Sequence, residues 1–131
     1  MYSRSTIVVP GVAIIAISCG SSDADFSEFT NYVSPDEKHT VIVYSAHSIL
    51  SYGPETIRIY VAEGNSQERR HVVTTKIAND GTGISPKNLE VMWIQAHIVR
   101  FCLSGVEQED SVLEVNTRMF TFSERPERCS N

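Results

Sequence analysis

Four histidines, His39, His47, His71 and His97, are the side chains of this 131-residue chain best suited to acid-base or metal chemistry. No two of them stand four residues apart, and no Cys-x-x-Cys occurs among Cys19, Cys102 and Cys129, so the spacings that favour a metal site are absent. Their positions suit strand ends and loops. A Ser-His-Asp set could be drawn from Ser48, His47 and Asp80, but the Gly-x-Ser-x-Gly elbow that presents a nucleophilic serine is missing. Glu107, Glu109 and Asp110 cluster on one polar stretch, whereas a glycosidase sets two carboxyl groups across a cleft. Asn79-Asp80-Gly81-Thr82-Gly83 has the composition of an anion or calcium loop, yet it lacks both the P-loop lysine and the EF-hand ligand spacing. The expectation is a domain with no catalytic residues, no metal and no cofactor.

The more pointed signal is apolar. Between Ser45 and Glu55 the chain is rich in turn formers, His47, Ser48, Ser51, Gly53 and Pro54 among them, yet it also carries Ile49, Leu50 and Tyr52. Apolar residues in a loop either tuck under it or form an anchor for a partner. Ile49, Leu50 and Tyr52 are therefore the candidate binding loop.

Where such binding would take place is written at the start of the chain. Arg4 is followed by an uncharged apolar run, Ile7 to Ile17, which ends at Ser18-Cys19-Gly20. A basic head, an apolar stretch of about 7–15 residues and a small-residue exit make up a secretory signal peptide, and the run is too short for the roughly 20 residues of a membrane span. The exit Ala16-Ile17-Ser18-Cys19 resembles the lipobox of bacterial lipoprotein precursors, in which the cysteine carries acyl groups such as palmitate and becomes the first residue after cleavage. Ile17, Ser18 and Cys19 match that pattern, while Ala16 stands where leucine is usual. Ala16-Ile17-Ser18 also fits the small-x-small rule of the ordinary signal peptidase, which would release a soluble protein at the same bond. The resemblance covers the signal alone and implies lipidation at Cys19. Gly20 after the cysteine resembles lipoproteins that move on to the outer membrane and face the periplasm.

Cleavage before Cys19 would leave residues 19–131, enough for one domain with a modest core. Arg4 would depart and every acid would stay, so the remainder is more acidic than the −5 of the whole chain. Acidity of this kind disfavours nucleic acid, whose phosphates call for clustered Lys and Arg. With Cys19 assigned to lipid, Cys102 and Cys129 are left as one pair, expected to bridge in an oxidising compartment and to tie the C-terminal tail to a strand.

The elements follow from turn chemistry and alternation. Residues 19–31 read as a flexible tether, and 32–131 as a single β-rich domain. Ser34-Pro35-Asp36-Glu37-Lys38 is a turn into the β-branched run His39 to Tyr44. It resembles the Ser-Pro-Asp-Gly-Lys turn of β-propeller blades, with Glu37 where glycine is usual; a single copy carries over the local turn and no propeller. Thr56 to Val61 alternates with period two and places Ile57, Ile59 and Val61 on one face. His71 to Ile77 should pair with it, and the adjacent Arg69-Arg70 reads as an exposed loop end. Leu89 to Trp93 and His97 to Leu103 alternate around a turn near Gln95-Ala96, with Cys102 on the reverse of the Phe101 face; one helix over the whole stretch is the competing reading. Ser104 to Asp110 reads as an acidic turn, Val112 to Phe122 as a last strand or two, and Ser123 to Asn131 as a polar tail.

The resulting expectation is a mainly β domain, a small antiparallel β-sandwich or open β-meander of about six to eight strands with room for one short helix. The function expected is non-enzymatic: a lipid-anchored envelope protein of inhibitor, immunity or assembly-accessory type that binds a protein or envelope component. The alternative is a small periplasmic hydrolase using one of the histidines.

Overall fold

A computed structural model describes residues 26–47, 53–64 and 66–129. Strands β1 (Ser27–Val33), β2 (His39–Ala46), β3 (Glu55–Glu63) and β4 (Arg70–Ile77) form one antiparallel sheet in that order. Strands β5 (Leu89–Gln95), β6 (Ile98–Gly105), β7 (Gln108–Asn116) and β8 (Thr121–Pro126) form a second. Sequence neighbours are sheet neighbours throughout, so each sheet is a four-stranded meander, and the two meanders pack as a small β-sandwich.

Alternation sets which face is dry. Ile57, Ile59 and Val61 are 0, 0 and 1% exposed, level across the ladder with Val41 and Val43, and they meet Val99, Phe101, Leu103, Leu113 and Val115 of the second sheet. A slip of one residue in any of these pairings would turn the whole apolar row to solvent, so burial fixes the register. Phe101 lies fully buried at the centre, with the Tyr32 ring edge-on to it at 6.2 Å. The period-two reading of Leu89 to Leu103 holds, and the helix is excluded: β5 and β6 are paired strands, and Phe101 faces the core while Cys102 faces out.

The first hairpin explains its own sequence. Asp36 Oδ1 accepts from the Ser34 hydroxyl and from the Lys38 N–H at 3.0 Å, while Ser34 Oγ accepts from the His39 N–H at 3.1 Å. The hydrogen bond from Ser34, then that from Lys38, holds the Asp36 carboxyl below its ordinary range. Glu37 sits at φ 62°, the left-handed region, where a side chain costs about 1–2 kcal/mol and glycine costs nothing.

Several boundaries differ from the sequence reading. Ser27 to Asn31, expected within the tether of 19–31, is part of β1, with Phe29 packed against the core, while residues 19–25 lie outside the described residues. Ser104 to Asp110 is mostly strand, with the reversal confined to Val106 and Glu107. The polar tail begins after Pro126, since Thr121–Pro126 is the edge strand β8. Exposure misled here: an edge strand on a small sandwich needs few apolar residues. Among the described residues the one helical element is a single 3₁₀ turn, Pro86–Asn88, capped by Ser85. Among the described residues no helix is long and apolar enough to cross a membrane.

The crossing from β4 to β5 is tied to the β6–β7 reversal by backbone groups. Ala78 N–H donates to Gln108 Oε1 at 2.7 Å, and Ala78 O accepts from Glu107 N–H at 3.2 Å. Asp80 N–H donates to Glu107 Oε1 at 3.0 Å, and Val106 N–H donates to Asn79 Oδ1 at 3.2 Å. Gly105 makes this approach possible, because a Cβ there would stand 2.2 Å from Ala78 O.

Candidate functional site

The β2–β3 connection is held at its base by one side-chain pair. His47 follows the last residue of β2 and Glu55 opens β3, so the pair extends the ladder one rung beyond Ala46 opposite Thr56. His47 Nδ1 lies 2.8 Å from Glu55 Oε1. Glu55 shares the inward face of β3 with Ile57 and Ile59 and is 8% exposed, whereas the His47 side chain is 48% exposed. A carboxylate this buried needs a partner, and the imidazole supplies it. The contact also orients the ring: with the proton on Nδ1 toward Glu55, Nε2 is left as an acceptor, the tautomer a general base requires.

The sequence offered Asp80 as a partner for His47 without favouring it, and the structure pairs His47 with Glu55. Asp80 lies in the β4–β5 crossing, with its backbone bound to Glu107. The clue to Glu55 was available in sequence, because two strands joined by a loop bring its flanking residues together. Ser48 and the candidate binding residues Ile49, Leu50 and Tyr52 lie outside the described residues, as does Cys19.

The other histidines differ in setting: His39 is buried, His97 half-buried and His71 exposed. His39 opens β2 and is largely buried, with Nε2 3.8 Å from Glu63 and no hydrogen-bond partner for Nδ1 among the described residues. His71 stacks edge-on against Tyr60 and pairs through Nε2 with Thr74 Oγ1 at 2.8 Å. His97 lies in the β5–β6 turn, where its carbonyl accepts from the Thr117 N–H at 2.9 Å and hydroxyl at 3.2 Å. Among the described residues no three His, Cys, Asp or Glu side chains are grouped to hold a metal ion. Of the acids of 107–110, Glu107 binds Asp80 N–H and Asp110 Oδ2 accepts from Cys129 N–H at 2.9 Å, while Glu109 and Asp110 line an open hollow with Glu127 and Arg128.

The outward faces of the two sheets carry two arrangements that sequence reasoning missed. On the first sheet Arg69 is no bare loop end: its guanidinium crosses the face to lie over the Tyr44 ring, bonds the Tyr44 hydroxyl and stands 3.9 Å from Glu28. Arg70 turns the other way, over Phe120 of the second sheet, at 4.3 Å from its centroid. Under Arg69 runs a groove of about 510 Å³ with Ile42 and Ala62 on its floor and Glu28, Asn31, Thr40 and Gln67 along its walls. On the second sheet Cys102 and Cys129 form the disulfide that the sequence reading expected, tying the tail to β6 with Cα atoms 5.7 Å apart. Beside it, Glu114 accepts from Arg100 Nε at 3.0 Å and Arg125 at 3.4 Å, and Arg125 binds Glu127 at 2.8 Å. The Arg100 bond, with Arg125 behind it, holds the Glu114 carboxyl below its ordinary range against the opposing effect of burial.

Comparison of the chain with protein-family models, with curated proteins and with solved structures finds no match.

Proposed function

We propose that this chain is a lipid-anchored protein of a bacterial envelope, held through Cys19 in the outer membrane facing the periplasm, whose β-sandwich binds a protein or envelope component without catalysing a reaction. The signal-like run and the lipobox-like Ala16-Ile17-Ser18-Cys19 support the anchor. The Cys102–Cys129 bridge suits an oxidising compartment. The binding half rests on one observation, the His47–Glu55 contact at the base of the β2–β3 connection. Pinned feet lower the ordering cost of a loop that carries Ile49, Leu50 and Tyr52. Inhibitors, immunity proteins and assembly accessories all fit this plan.

A second reading is favoured by the same contact, because a carboxylate-oriented imidazole followed in sequence by Ser48 is also the start of a hydrolytic site. The two part under mutation. Replacing Ile49, Leu50 and Tyr52 together with Ser should weaken capture of the partner from solubilised envelopes, while His47→Gln should leave capture largely intact. Abolition of the cellular phenotype by His47→Gln in a chain of unchanged stability would overturn the binding reading in favour of the hydrolase. The anchor is tested by fractionation and N-terminal mass spectrometry: Cys19→Ser should move the protein from membrane to soluble fractions, and a chain that retains Met1 would sink it.

A further inference from the structure

Among the described residues the two open meanders have four edge strands, each with backbone groups unpaired along one side, and three of the four are guarded. The β1 edge carries Glu28 and Asn31 and a register shift between Glu28 and Thr30. The β4 edge carries Arg70, His71 and Lys76. The β8 edge carries Glu124 and Arg125 and stops at Pro126. Charge, irregularity and proline are the usual devices against strand addition.

The β5 edge has almost none of them. Leu89-Glu90-Val91-Met92-Trp93-Ile94-Gln95 contains one charge and no proline, and its irregularity is confined to Trp93/Gln95 at its end. On the outward face Met92 is 60% and Ile94 is 40% exposed, and Val91 and Trp93 on the core side are only partly buried. Among the described residues nothing pairs with its open side.

We propose that a second copy of this chain adds along β5, antiparallel about a two-fold axis at Met92, so that the two second sheets become one continuous sheet. The strand is self-complementary in that register. Met92 falls opposite Met92 of the other copy. Val91 falls opposite Trp93 on the core side, twice by symmetry, an aromatic and β-branched cross-strand pair. Glu90 falls opposite Ile94, which keeps the two Glu90 carboxylates apart. A slip of one residue would join the core side of one copy to the outward side of the other, and a slip of two would leave strand ends unpaired. Met92, the middle of seven residues, is the centre that uses the whole strand. The symmetry is isologous and closes at two copies, so it builds a dimer and no fibre. None of this depends on the lipid anchor or on the β2–β3 loop.

The test is cysteine cross-linking of the full chain. Directly opposed residues in an antiparallel pair have Cα atoms about 4.5–5.5 Å apart, within disulfide reach, so Met92→Cys should give a disulfide-linked dimer on mild oxidation. Met119→Cys is the control, because Met119 is 64% exposed but lies in the β7–β8 turn. The Met92→Cys dimer should exceed the control by about tenfold or more. Ile94→Lys, at an exposed site where the fold tolerates charge, should reduce dimer in sedimentation of the otherwise unaltered chain. Equal cross-linking of the two cysteines, a sedimenting monomer insensitive to Ile94→Lys, or a Met92→Cys adduct with a different protein would each overturn the proposal.

Discussion

Gly105→Ala is the sharpest probe of how the two sheets are joined. Gly105 ends β6 where it meets the crossing segment, and an added Cβ would stand 2.2 Å from Ala78 O, 2.9 Å from Ala78 C and 3.2 Å from Ile77 Cγ2. Contacts under 3.0 Å are essentially never seen, and the nearest atoms are backbone, which has no rotamer to escape into. Ala78 is also held from both sides, by Glu107 N–H on its carbonyl and by Gln108 Oε1 on its N–H. Overpacking should cost about 1–3 kcal/mol, and loss of the Glu107 bond about 0.5–1.5 more. A stiffer unfolded chain returns about 0.4–1 kcal/mol, so the net loss is about 1–3.5 kcal/mol. At about 4–8 °C per kcal/mol for a domain of this size, Tm should fall by about 4–28 °C. The control is Gly64→Ala: Gly64 has nothing within 4 Å but sits at φ +49°, so it feels left-handed strain alone, about 0.5–1 kcal/mol after the same correction. Urea unfolding followed by the fluorescence of Trp93, the chain's one tryptophan, compares the variants. A Gly105→Ala chain no less stable than Gly64→Ala would refute the close approach of β6 to the crossing, and with it the way the sheets are joined.

Two further outcomes follow from the outward face of the second sheet. Cys102→Ser should destabilise by up to about 3.5 kcal/mol, the chain-entropy value for a bridge spanning 27 residues, and two free thiols titrated in native unreduced protein would contradict the pairing. Glu114→Gln should cost about 0.2–1 kcal/mol at neutral pH. Because the folded carboxyl titrates below its ordinary value of 4.5, its contribution is fully present above that value and is lost as pH falls through the lowered one. The stability gap between wild type and variant should therefore close in acid, and a gap constant from neutral pH down through the carboxylate range would contradict the assignment.

The strands whose burial is one-sided were legible in sequence. Thr56 to Val61 and the run from Leu89 to Leu103 alternate because one face is dry, and Cys102 could be placed on the reverse of Phe101 for the same reason. The edge strands β1 and β8 were not, since they bury little and their residues read as tether and tail. Two-body contacts across strands were hidden in a different way. Glu37 stood out in sequence as an intruder at a glycine position, and the left-handed backbone shows why glycine belongs there. Nothing local announced that Arg69 and Arg70 would leave the chain in opposite directions, because each is directed by an aromatic ring far along the sequence.

The histidines show how the fold sharpens the choice between binding and catalysis. In sequence all four were candidates, and His47 alone could be drawn into a Ser-His-Asp set. In the sandwich His71 is engaged with Tyr60 and Thr74, His97 sits in a turn fixed through its backbone carbonyl, and His39 is largely enclosed beneath the first hairpin. His47 alone among them joins a buried carboxylate while leaving about half its side chain in solvent. Of the four, His47 is the one whose setting best suits the hydrolytic alternative, and it sits at the foot of the loop on which the binding reading depends. A buried Glu55 without His47 would be an unpaired acid at the sandwich rim, so His47→Gln, which can still donate a hydrogen bond to Glu55, separates the roles better than alanine. A loop that needs only its clasp should tolerate glutamine; a general base cannot.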